Sequence, residues 1–90
     1  MSEQSRRPTG DRRNVRVRLT FPEHLITEPV LARMMRRFDV EPNIRRAKVE
    51  ETLGWIVCEL AGAADAVEAA IVWLREQGVE VDRLGDVVEG

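Results

Sequence analysis

The sequence has no tyrosine, and its aromatic residues are Phe21, Phe38, Trp55 and Trp73. Aliphatic side chains must therefore supply most of the core of this chain of 90 residues. A single cysteine, Cys58, excludes an internal disulfide and agrees with a reducing compartment. It has no histidine near it in sequence, so it reads as a small core hydrophobe rather than a nucleophile. His24 is the one histidine, and no His or Cys stands at metal-ligand spacing from it. Glu50 and Glu51 could ligate a cation, but they read better as a solvated turn. There is no glycine-rich phosphate loop. No apolar run approaches the roughly 18 residues that a membrane span needs. The first residues lack the hydrophobic segment of a signal peptide. These absences lead to an expectation of a cytoplasmic, non-enzymatic protein with no metal, no cofactor and no membrane insertion.

The composition that remains is 43% hydrophobic and 33% charged, which suits one small domain with a well-solvated surface. The net charge of −2 is unevenly spread. Arg6, Arg7, Arg12 and Arg13 outweigh Glu3 and Asp11, so residues 1–13 read as a basic tail and the rest is acidic. That tail could touch nucleic acid or an acidic partner, or could be a disordered, solubilising extension.

From Asn14 to Phe21 apolar and polar residues alternate, which predicts a strand with Val15, Val17, Leu19 and Phe21 on its buried face. Pro22 ends it, and Glu23 to Ile26 reads as a loop. Thr27 is a plausible N-cap, with Pro29 in the first helical turn. Val30, Leu31, Met34, Met35 and Phe38 then form an apolar stripe, read as core packing. Pro42 to Glu51 predicts a second strand with a slip in phase. Ile44 has even numbering while Ala47 and Val49 are odd, and one extra residue near Arg45-Arg46 would bring all three to one face as a β-bulge. Thr52, Leu53 and Gly54 can make the turn. Trp55 to Ala61 reads as a third strand, with Ile56, Cys58 and Leu60 inward, and Gly62 ends it. Ala63 to Gln77 is a helix pattern on Val67, Ala70, Ile71 and Leu74, with Gly78 as its stop. Val79 to Leu84 is the last strand, and the residues from Gly85 onward read as a loose tail.

The order β-α-β-β-α-β predicts an α+β, ferredoxin-like plait: a four-stranded antiparallel sheet in order 4-1-3-2 with two helices on one face. Its other face should show Arg16, Arg18, Thr20, Lys48, Trp55, Val57, Glu59, Glu80 and Asp82. An apolar pair among charges suggests an interface, so Trp55, Val57, Arg16 and Arg18 are candidate contact residues. Pairing of Arg16 or Arg18 with Glu59, Glu80 or Asp82 is the plain alternative for the charges. The plait is also a fold of RNA-binding modules, but the aromatic third-strand motif is missing and the acidic residues would repel phosphates.

At the central hairpin the sequence resembles the NIL domain family. The resemblance is carried by Phe38-Asp39-Val40-Glu41-Pro42-Asn43-Ile44, by Gly54 and by Glu59-Leu60-Ala61-Gly62. Leu74-Arg75-Glu76-Gln77-Gly78-Val79-Glu80-Val81 and Pro29-Val30-Leu31 extend it, so it covers nearly all of residues 15–84. NIL domains resemble amino-acid-sensing ACT domains. They occur at the carboxyl end of methionine-import ABC ATPases, where paired domains bind methionine and restrain transport, and also alone or beside iron–sulfur modules. The resemblance thus implies a regulatory module over residues 14–85, followed by a tail over residues 86–90. It further implies a homodimer, an amino-acid ligand such as methionine, and a transporter or redox-protein partner. Asn43 would orient the ligand and Ile44 would line its pocket. Arg45 stands where the motif has Leu, and could pair with a ligand carboxylate or fill the pocket. Ala47 stands where a Gly is often found. The competing reading is an interaction or assembly module that kept the fold and lost the ligand.

Overall fold

A computed structural model describes residues 11–87. Its elements are β1 (Arg12–Pro22), α1 (Glu23–Ile26), α2 (Val30–Arg37), β2 (Val40–Val49), β3 (Leu53–Ala63), α3 (Ala64–Glu76) and β4 (Glu80–Asp86). The four strands form one antiparallel sheet in the order β2-β3-β1-β4, the expected plait read from its other edge. Strand β1 takes in Arg12 and Arg13 of the expected basic tail, and residues 1–10 lie outside the described residues.

The alternation in β1 produces one buried face. Val15, Val17, Leu19 and Phe21 meet Cys58 and Leu60 of β3, Val81 of β4, and Val30, Met34, Val67, Ala70, Ile71 and Leu74 of the helices. Glu23–Ile26 is a short helix rather than a loop, and Thr27 closes it instead of capping α2. Met35, expected in the core, is 52% exposed. Val30 and Met34 stand four apart on one side of α2, and Met35 lies a further ~100° around a helix of 3.6 residues per turn. Phe38 follows the same side and meets Trp73 edge to face at 5.9 Å.

Helix α3 ends as its glycine predicts. Gly78 has φ of 101°, its N–H donates to the Arg75 carbonyl, and the Val79 N–H donates to Leu74. This crossed pair satisfies carbonyls that the helix end would otherwise leave open. Gly62 does not end β3. It pairs with Arg13 and with Val40, and its lack of a side chain lets the Asp39 carbonyl come close. Nor does the chain loosen at Gly85. Gly85 and Asp86 pair with Arg16 and Val15, and the Val87 N–H donates to Asn14. Leu84 is an extra residue there, so β4 carries a bulge of its own.

The bulge expected in β2 is present. Ile44 pairs with Cys58 and Arg46 with Val57, which leaves Arg45 without a register partner. The slip does turn Ile44, Ala47 and Val49 to the helix side, opposite Cys58, Ile56 and Gly54. Burial does not follow, however, since Ile44 is 56% and Val49 67% exposed. Helix α2 has eight residues, ~12 Å, against ten residues and ~33 Å for β2. The hairpin therefore runs out beyond its cover.

Candidate functional site

Register places the open face row by row. Arg16, Glu59 and Asn43 lie across from one another, then Arg18, Val57 and Arg46, then Thr20, Trp55 and Lys48. On the far side Asp82 stands beside Arg18 and Glu80 beside Thr20. The candidate contact residues Arg16, Arg18, Trp55 and Val57 thus share one surface, with Trp55 and Val57 half-buried.

Glu59, expected to point outward with its charge on view, is 2% exposed and is the buried charged residue of the described chain. Two arginines cover it. Arg16 donates from Nε and Nη2 to Oε2, at 3.3 and 2.6 Å. Arg45 forks across the carboxylate, from Nε to Oε2 at 3.2 Å and from Nη2 to Oε1 at 3.0 Å. A carboxylate away from water needs paired charge and hydrogen bonds together, and both are supplied here. Arg45 and then Arg16 hold its carboxyl below the usual range by hydrogen bonding, against an opposing desolvation. The Arg45 guanidinium is in turn held more firmly charged by Glu59. The Arg16–Glu59 half is the cross-strand pairing that the alternation offered. The Arg45 half had no sign in the periodicity, because Arg45 joins the open face only through the bulge.

A depressed carboxyl pKa stabilises the fold above the unfolded value of about 4.3, and that contribution fades as pH falls through the folded value. Stability against urea is expected to drop below about pH 4. Glu59→Gln should flatten that acid limb, leaving the share from Glu68, whose carboxyl Arg83 also holds low. An acid limb of unchanged steepness in Glu59→Gln would show that the bridge contributes nothing to folding.

The expected ligand residues do not converge on one pocket. Asn43 and the Arg45 head group belong to the open face, while Ile44 and Ala47 belong to the helix side. All four lie along the exposed edge strand. On the helix side a separate apolar cavity of about 200 Å³ lies between Leu25, Ile26 and Leu31 and the hairpin end at Val49 and Gly54. Sequence reading missed it because its near wall is α1. Among the described residues no group of His, Cys, Asp and Glu could hold a metal ion. Burial, then Glu59, push the Cys58 thiol up to about 11, so it stays protonated near neutrality. No helix of the described residues is long and apolar enough to cross a membrane.

The family model described as the NIL domain matches residues 15–83. The chain belongs to the NIL domain family. Among curated relatives, the Methionine import ATP-binding protein MetN of Coxiella burnetii is 31% identical over 75 residues, covering 79% of this chain and 21% of that protein. The protein of the same name from Escherichia coli is 35% identical, covering 79% and 22%. That of Myxococcus xanthus is 33% identical over 79 residues, covering 83% and 24%. The chain therefore spans about a fifth to a quarter of the length of these relatives. A crystal structure of the C-terminal domain of an ABC transporter ATP-binding protein from Enterococcus faecalis is similar at a TM-score of 0.69. That match has 25% identity and covers 79% of this chain and 83% of that one. The NIL fold is thus shared with a domain known from ABC transporters.

Proposed function

We propose that this NIL domain is a non-catalytic, cytoplasmic sensor that binds a small amino acid such as methionine at a homodimer interface and acts on a transporter partner. The observation that carries the reading is the family match over residues 15–83, together with relatives named for methionine import. The geometry is compatible with it. The edge strand β2 leaves Ile44, Ala47 and Val49 uncovered, an apolar strip that a second protomer could cover. Asn43 is exposed on the open face of the same edge strand and can bond to a ligand's polar head. On calorimetric titration methionine is expected to bind, and Asn43→Ala to weaken it about tenfold, one lost hydrogen bond to a charged group. Light scattering should report a dimer. Absence of heat with methionine and with the other amino acids would remove the ligand from this reading.

One observation favours a second reading, an interaction module that has lost the ligand. Arg45 occupies the motif's Leu position, and its guanidinium is already paired with a carboxylate of its own chain, Glu59. Under that reading partner capture would depend on Trp55 and be indifferent to any amino acid.

A further inference from the structure

The open face contains a shallow depression of about 600 Å³ lined by Arg16, Arg45, Arg46, Val57 and Leu84. Its floor and rim come from separate events in the fold. The β2 bulge sends Arg45 and Arg46 to the same side, and the β4 bulge adds the 51% exposed Leu84 across from them. Glu59 fixes the orientation of two of the three guanidiniums. Arg16 and Arg45 both turn the edge carrying Nε and Nη2 down to its carboxylate, and Nη1 of each takes no part in the bridge. The two side chains remain 46% and 58% exposed. The side chain of Arg46 has no hydrogen bond or ion pair among the described residues. Guanidiniums held in place by a buried carboxylate are preorganised donors, and with three of them over one Glu59 the depression stays positive.

We propose that this depression binds a small organic acid, with its carboxylate on Arg16, Arg45 and Arg46 and its apolar body against Val57 and Leu84. The chemistry of the lining also selects against an amino acid. No carboxylate lines the depression, and Glu59 lies buried beneath the two arginines with both oxygens accepting from them, so no exposed carboxylate there would take an ammonium group. A 2-oxo acid, which has an amino acid's side chain and carboxylate but no ammonium, suits the lining. This goes beyond the sensor reading above, since it requires neither an amino acid nor a dimer.

The test is calorimetric titration of the full chain at low salt with three probes: the 2-oxo acid of methionine, methionine itself, and inorganic phosphate. The oxo acid is expected to bind at least about tenfold more tightly than methionine or phosphate, and added salt should weaken it. Arg46→Gln, which breaks no side-chain hydrogen bond or ion pair of the described residues, should weaken the oxo acid about tenfold, one charge-assisted hydrogen bond. Backbone amide shifts should confirm that the variant is folded and place the wild-type response at residues 16, 45, 46, 57 and 84. Methionine binding as tightly as its oxo acid with amide shifts at residues 16, 45, 46, 57 and 84 would overturn the inference, whereas methionine shifts confined to the β2 edge would support the amino-acid sensor and leave the depression to the oxo acid. No binding of the oxo acid, equal binding of phosphate, or indifference to Arg46→Gln would overturn it as well.

Discussion

Leu60→Ala is expected to lower the unfolding free energy by about 3 kcal/mol, within the range of about 2–5 for buried leucines. Leu60 is fully buried on β3, an inner strand, with Val15 of β1 on one side and Pro42 of β2 on the other. Truncation removes its transfer free energy and leaves a cavity that two flanking strands cannot easily close. A domain of this size commands only about 5–15 kcal/mol in total, so the variant should keep much less than its full margin. Urea unfolding should show a lower midpoint with an unchanged slope. A loss below about 1 kcal/mol would mean that the side chain is not packed as described.

Two residues on, Gly62→Ala should cost about 1–3 kcal/mol for a different reason, overpacking. A methyl group there would stand 2.7 Å from the Asp39 carbonyl oxygen and 3.4 Å from Val40 Cγ2. The obstacle is backbone and cannot rotate aside, so β2 would have to shift where it enters the sheet. Gly54→Ala provides the comparison at the other end of β3. Its nearest obstacle, the Lys48 carbonyl oxygen, lies at 3.5 Å, an ordinary contact. That change should stay within about 0.5 kcal/mol. Equal losses at the two glycines, measured by the same urea titration, would remove the close approach as the reason for Gly62.

These two residues also show how far the chain could be read. Leu60 was legible because period two alone sorts β3 into faces, and Cys58 and Leu60 are buried as the alternation requires. Gly62 was misread. A glycine at a strand end and a glycine admitting a neighbouring carbonyl look alike until Asp39 is placed in space. The strand order followed from β-α-β-β-α-β and the right-handedness of its crossovers. The bulge at Arg45 was legible as a slip between even and odd numbering.

Of the candidate sites less was visible, and the misreadings share a cause. Periodicity says which way a side chain points but not whether anything stands there to cover it. Ile44 and Val49 point to the helix side as expected and remain exposed because α2 is short. Glu59 points to the open side as expected and is nevertheless buried, because Arg16 and Arg45 close over it.

Residue order alone settled the absence of an internal disulfide, the strand and helix order, the apolar stripe of α3, the bulge, and the motif by which the chain resembles its family. Each is a property of neighbours along the chain, governed by steric preference and by the periods of two and 3.6 residues. The packing of the folded chain decided that Glu59 is sealed under two arginines and that the β2 edge lies bare. It also decided that Leu84 faces Arg45 and Arg46 across a positive depression. Those outcomes depend on distances between residues far apart in sequence, which register, element length and the two bulges together set.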